Sequence, residues 1–548
     1  MTRQDRSFWG WGHAHRFPDA EHRGRLGQML GALLGGVALT PREPPTLDAI
    51  ELPTARIAVP DALRSFAAGS PLDRASHTYG KAYRDLVRGF AGDFSSAPDL
   101  VAYPADEQQL ERALAWCSEN RVACIPYGGG TSVVGGVEGA VGGDFAGVLS
   151  LDTRKLSRVL EVDEVSRAAR IQAGANGPAI SEQLAPHGFG LRHFPQSFEF
   201  STLGGWLATR AGGHYATVYT HIDDLTESIR MLTPSGHWQS RRLPGSGAGP
   251  SPDRLVLGSE GILGVITEAW MRVQARPRFR ARATVHFDDF DNAVQATREL
   301  AQSGLFPSNC RLLDSREAML HQVANGKHVL LLGFESADHP PTAAMDRALE
   351  IAQGRAGQLA DRRDSAEDDR ADDAQSAERR DTSGSWRRAF LDAPYRFNAL
   401  VSLGVVVDTF ETACTWSDFD RLHKAIVTDV RDAMERTCGG GFLSCRFTHV
   451  YPDGPAPYYT FIAPGSPRGR DPSESRPADW LAAWREIKAA ASDALIEHGG
   501  TITHHHAVGR MHRPWYDRQR PELFAAALRA IKRELDPAGV LNPGVLID

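Results

Sequence analysis

The sequence predicts an α+β protein of two lobes behind an N-terminal helical segment. Three observations carry this. Helix and strand signals alternate from about residue 95 to Arg276, a second set of mixed elements follows, and 548 residues is several times the usual domain size. The expected units are 1–94, 95–276 and 277–548.

In the first unit, a proline-rich connector (Pro41–Pro53) precedes a polar helix pattern over Tyr79–Phe90. From Asp106 to Asn120, Leu110, Leu114 and Cys117 recur at i, i+4 and i+7, one face of a helix. Asp106 and Glu107 suit the positive end of its dipole. A β-rich run, RVACIPYG (Arg121–Gly128), leads into the glycine cluster GGGTSVVGG (Gly128–Gly136), and β-like runs follow over Gly147–Thr153, Val159–Asp163 and Ala168–Gly174. The stretch 361–382 is highly charged and poor in apolar residues, so a mobile surface loop is expected. A helix over Pro521–Leu535 and the turn-rich DPAGVLNPG (Asp536–Gly544) close the chain. There is no internal repeat.

Composition narrows the function classes. Hydrophobic residues at 42% and charged residues at 24% exclude a disordered or fibrous chain. A net charge of -7 excludes a nucleic-acid-coating surface, so no nucleic-acid partner is expected. Cys117, Cys124, Cys310, Cys414, Cys438 and Cys445 form no C-x-x-C pair and read as reduced thiols. The apolar stretch Leu26–Leu39 contains Gln28 and four glycines and is too short to span a bilayer, and the first residues do not read as a secretory leader. A soluble, cytoplasmic enzyme is the expectation.

Consecutive glycines allow φ > 0 and bare their N–H groups, so Gly128–Gly136 is a candidate anion cradle. It is neither the dinucleotide fingerprint of a doubly wound fold nor a P-loop, because no helix follows it and no G-K-[ST] is present. Alone, a tight turn explains it equally well. Two further small-residue stretches, Phe194–Gly213 and Leu257–Trp270, shift the balance toward a long, flat, anionic ligand, such as a dinucleotide with a tricyclic ring.

The triple histidine His504–His505–His506 has three readings: a polar strand edge, a metal site, or proton transfer. On an extended run, His504 and His506 would share one face and His505 the other.

PYGGGTSVVGG (Pro126–Gly136), PQSFEFSTLGGW (Pro195–Trp206) and GSEGILGVITE (Gly258–Glu268) resemble the FAD-binding lobe of vanillyl-alcohol-oxidase-type flavoproteins. With WGWG (Trp9–Gly12), RLLD (Arg311–Asp314), FETACTW (Phe410–Trp416), HGGTITHHHAVGR (His498–Arg510) and LNPG, the chain resembles the alkylglycerone-phosphate synthase family over nearly its whole length. The resemblance implies a two-subdomain PCMH-type FAD-binding lobe with a second α+β substrate (cap) domain. It implies FAD held by Pro126, Gly128, Gly129, Gly130, Thr131, Ser132, Gly135, Pro195, Ser197, Ser201, Thr202, Gly204, Gly205, Glu260, Gly261, Gly264, Val265 and Ile266. Relatives with covalent FAD often carry a histidine where this chain has Thr131, so the FAD is expected to be non-covalent.

The implied reaction exchanges the acyl group of acyl-dihydroxyacetone phosphate for a long-chain alcohol, with no electrons passed to an outside acceptor. The resemblance places Tyr458, His505, His193 and Arg311 at the active site, with His504 and His506 orienting or packing. Tyr458 would serve as a base if nearby cations lowered its pKa, His505 would relay protons, and Arg311 would grip the phosphate. Simpler roles compete: Arg311 pairing with Asp314, and Tyr458 as core. The alternative reaction is FAD-dependent oxidation of a small hydroxylated substrate such as a 2-hydroxy acid. Metal-assisted relatives of that kind carry H-x-G-D-G-N-x-H and G-E-H-G; here the stretches read HVYPDGPAPYY (His449–Tyr459) and HHHA, so no metal is expected.

One departure from the family stands out: PYRFN (Pro394–Asn398) replaces PYLRD, which on a strand would flip the basic side chain to the other face. Lipid substrates leave room for peripheral membrane contact, and a homodimer stays open.

Overall fold

The computed structural model describes residues 6–366, 393–470 and 474–548. The first lobe holds two sheets. In one, Leu100–Ala102 and Val122–Tyr127 flank Gly147–Asp152 in parallel, with Ala67–Ala68 added antiparallel at the edge. These strands are buried almost throughout, as parallel strands covered on both faces must be. The predicted helix runs over Glu107–Glu119, capped by Asp106, and buries Leu110, Leu114 and Cys117. The other sheet is antiparallel, in the spatial order Val159–Asp163, Ala168–Gln172, Val265–Arg272, Thr226–Thr233, Gly236–Gln239.

The second lobe is a seven-stranded antiparallel sheet. Its order is Gln358–Ala366, Phe279–Phe287, His328–Ser336, Asn309–Leu313, Phe442–Val450, Pro455–Pro464, Val405–Glu411. Helices Phe290–Gln302, Thr342–Gly354, Trp416–Cys438 and Pro477–Glu497 contribute to the core beside it. Of the charged stretch expected as a loop, residues 361–366 instead finish the edge strand, paired with Phe279–Phe287; residues 367–382 lie outside the described residues.

Both chain ends tie the lobes together. Trp9, Tyr83 and Phe90 share the core of the second lobe, and the Tyr83 hydroxyl donates to the Val405 carbonyl at 2.9 Å. At the other end, Leu528, Val545 and Ile547 enter the core of the five-stranded sheet, and Asn542 donates its N–H to the Cys124 carbonyl at 2.9 Å. The last turn-rich segment therefore packs on the first lobe, across the boundary drawn at residue 276.

PYRFN is helical, within 393–402, so the strand-slip expectation does not apply. Asn398 is buried; its side-chain oxygen accepts from the Trp11 N–H (2.8 Å) and its nitrogen donates to the Trp11 carbonyl (2.9 Å). A Cβ on Gly10 would lie 2.9 Å from the same amide oxygen, which explains a glycine in WGWG. Asn398→Asp removes the donor and leaves the Trp11 carbonyl facing a buried carboxylate. It should cost about 2–3 kcal/mol, measured as a lower denaturant midpoint.

All six cysteines are free, and among the described residues no helix is long and apolar enough to cross a membrane.

Candidate active site

A cavity of about 400 Å³ is lined by both lobes. Its floor is the glycine cradle that leaves the strand Val122–Tyr127. Gly130 adopts φ +68°, and a Cβ at Gly128 or Gly129 would collide with the Thr202 hydroxyl or the Phe200 carbonyl. The backbone of 200–202 crosses this loop so closely that only hydrogen fits. Thr202 caps the short helix Leu203–Thr209, and the Ser201 hydroxyl accepts from the Trp206 indole at 2.7 Å. Glu260 accepts the Val508 and Gly509 N–H groups at 2.9 and 2.8 Å, fastening the last part of the chain to the cavity wall.

Every residue expected to hold the cofactor lines this cavity except Gly135, which lies beside the Arg84 guanidinium. Lys81 was not foreseen. It lines the cavity, its N–H donates to the Ser132 carbonyl at 2.6 Å, and burial together with Arg6 pulls its ammonium down to about 8. A cradle open only to glycine, with a lysine beside it, fits an elongated anionic cofactor such as FAD.

The reacting side is set by strand register. Glu411 pairs with Tyr458, and Tyr458 with Arg446, so the three side chains point from one face of neighbouring strands. The triple histidine is not extended. Glu411 accepts the N–H groups of His504 (2.6 Å), His505 (3.1 Å) and His506 (3.0 Å) and the Thr503 hydroxyl (2.6 Å), bending the run around one carboxylate. His505 and His506 therefore line the cavity together, while His504 lies behind them. Burial pushes the Glu411 carboxyl up, but the three imidazoles and Thr503 outweigh it and hold it well below the usual range. Burial lowers His505 and His506 to about 4, so both are neutral bases at physiological pH.

Tyr458 lies nearly parallel to His505, with ring centroids 6.1 Å apart, and the Arg446 guanidinium sits 3.9 Å from its ring centroid. Its hydroxyl donates to Thr409 Oγ1 at 2.9 Å. The condition for Tyr458 to serve as a base, a lowered pKa, is not met. Burial raises Tyr458 above its ordinary value despite Arg446, so it is a proton donor, not a resting base.

Arg311 is buried, lines the cavity and donates to the His214 carbonyl at 3.2 Å. Its suggested partner Asp314 instead caps the helix Ser315–Leu320 and accepts the Cys445 N–H. His193 does not line the cavity. It lies behind Gly213, edge-on to Trp206 at 5.0 Å, and burial takes it down to about 3.

Arg446 and Glu411 escaped the sequence reading. Arg446, ion-paired with buried Glu317, is the one charged residue of the strand FLSCRFTHV, a signal that was present. The structure also gathers ligand-type atoms that were not near one another in sequence: His449, His504 and His505, and Glu411, His505 and His506, each within 4.8 Å. Four hydrogen bonds already occupy Glu411, which makes it a poor metal ligand.

These buried histidines set an acid limit on the fold. His193 at about 3 and His423, His505, His506 and His512 at about 4 stay neutral when folded but protonate near 6.5 when unfolded. Between pH 6.5 and 4.5 the unfolded chain thus binds more protons at these sites, and stability falls as pH falls. Burial raises Glu260 and Asp314 to about 7 and also raises Asp85 and Asp253, which acts in the opposite sense, but at fewer sites than the lowered histidines among the described residues. Urea midpoints should drop steadily from pH 7 to pH 5; a flat profile would contradict the burial of these imidazoles.

The family described as FAD binding domain matches residues 98–240, and that described as FAD linked oxidases, C-terminal domain, matches 276–546. The alkyldihydroxyacetonephosphate synthase of Dictyostelium discoideum is 32% identical over 499 residues, covering 89% of this chain and 79% of that protein. The chain belongs to the alkyldihydroxyacetonephosphate synthase family. A second synthase of the family, from Trypanosoma brucei brucei, is 28% identical, covering 86% of this chain and 77% of its own. A solved structure of an alkyldihydroxyacetonephosphate synthase superposes with a TM-score of 0.77 at 25% identity, covering 99% of both chains. As a member of this family the protein is an FAD-binding enzyme with a PCMH-type fold.

Proposed function

We propose that the protein makes an alkyl ether by exchanging the acyl group of acyl-dihydroxyacetone phosphate for a long-chain alcohol, with FAD bound non-covalently. One observation supports this most: Tyr458, Arg446 and neutral His505 stand together over Glu411, facing the cavity that holds the glycine cradle. The cradle, Thr202 and Lys81, which line the cavity, would hold the cofactor. When bound, FAD supplies a ring that can take and return an electron pair, so the exchange needs no outside oxidant.

The chain's own residues do the rest. His505 accepts the proton from the carbon beside the ketone, for which a neutral imidazole is suited. Tyr458 donates a hydrogen bond to the ketone oxygen as charge builds there. Arg311 and Arg446 supply positive charge for the phosphate. Leu26, Met29 and Leu30 of the helix Ala20–Leu33, with Phe397 and Leu400, give the cavity an apolar arm suited to an alkyl chain. Peripheral membrane contact and a homodimer belong to this reading as lesser parts.

The test is anaerobic. Substrate and a dye acceptor are added to the FAD-loaded protein. Ether product with an unreduced dye supports the exchange; a bleached flavin and a reduced dye would make it a dehydrogenase.

A further inference from the structure

The histidine run continues away from the cavity. His505 Nδ1 lies 3.0 Å from His504 Nδ1, and His504 Nε2 lies 2.7 Å from the Tyr451 hydroxyl and 3.1 Å from His221 Nε2. His505 lines the cavity, whereas His504, Tyr451 and His221 do not. Tyr451 and His221 are half-buried, and Tyr451 opens a turn whose next residues, Pro452 and Asp453, are exposed. A continuous line of hydrogen-bonding groups thus runs from the reacting side of the cavity to two half-buried side chains, one of them next to an exposed turn.

The proposed exchange needs such a line. It breaks the alcohol O–H bond and the ester's bond between C1 and oxygen, forms the ether bond from C1 to the alcohol oxygen, and releases a carboxylate. The proton that His505 takes from the carbon returns to that carbon when the ether forms, so one proton, the alcohol's, is left over in each turnover.

Resting on that reading, we propose that Tyr451 and His221 form the outer end of a path that carries this proton from His505 through His504 to solvent. When His505 gains a proton at Nε2, its Nδ1 proton passes to His504 Nδ1. The His504 Nε2 proton then moves to Tyr451 or His221, and no electrons change hands. Both outer residues act through His504 and position its imidazole.

The test uses Tyr451→Phe and His221→Asn in the FAD-loaded enzyme. Turnover in dilute buffer should fall about tenfold, and concentrated imidazole buffer should restore most of it. A loss that imidazole does not rescue, or turnover unchanged in both variants, overturns the path. A second measurement needs no substrate. In protein labelled with ¹⁵N-histidine, the His504 ring N–H signal, assigned by its loss in His504→Asn, should exchange with solvent several-fold more slowly in either variant. Unchanged exchange overturns the path even if the wild-type protein makes no ether. Slowed exchange without ether keeps the path and rejects only the proposed reaction.

Discussion

Glu411→Gln is expected to lower stability by about 3 kcal/mol and turnover by about a hundredfold, while the glycine cradle still takes up FAD. The carboxylate accepts four hydrogen bonds from Thr503 to His506, and these donors give the bend its shape. Glutamine keeps one oxygen but turns an N–H₂ group toward N–H donors, so part of the set is left buried and unpaired. The run then loses the geometry that brings His505 and His506 to the cavity together. Urea denaturation reads the first effect and product formation the second. A variant with wild-type turnover would show that the bend does not hold the reacting imidazoles.

Tyr458→Phe separates chemistry from folding. The ring still fills its buried place under Arg446, and only the hydrogen bond to Thr409 is lost, worth about 1 kcal/mol. The protein should stay yellow and folded, yet turnover should fall by about a hundredfold or more, since the hydroxyl is the donor proposed for the ketone oxygen. Because Tyr458 remains protonated, the wild-type rate should not rise with pH between 8 and 10 as it would for a phenolate base; such a rise would return the tyrosine to the role of base.

Local signals were legible in the sequence. The i, i+4, i+7 spacing of Leu110, Leu114 and Cys117 foretold the helix Glu107–Glu119, and the short β-rich runs foretold Val122–Tyr127 and Gly147–Asp152. The glycine cluster was legible as a close-approach loop, because at Gly128 and Gly129 only hydrogen fits beside residues 200–202. Tertiary placement was not legible. Glu411, Tyr458 and Arg446 meet only through strand register: Arg446 and Tyr458 face each other across a hairpin, and the strand Val405–Glu411 adds Glu411 on its other side. The bend of His504–His506 depends on a carboxylate about ninety residues earlier, so alternation along the run misled. The direction of the Tyr458 shift followed the same pattern. The sequence left open whether cations would lower it; Arg446 does lie beside the ring, but burial outweighs that cation, and burial belongs to the fold.

The most direct measurement is the fate of an oxygen label. Pure FAD-loaded protein is incubated with acyl-dihydroxyacetone phosphate and ¹⁸O-labelled hexadecanol, and the products are weighed by mass spectrometry. Exchange at C1 predicts an ether that retains the label, released fatty acid without it, and a flavin spectrum unchanged at the end. Label recovered in a fatty ester, or fatty acid with no ether, would contradict the account.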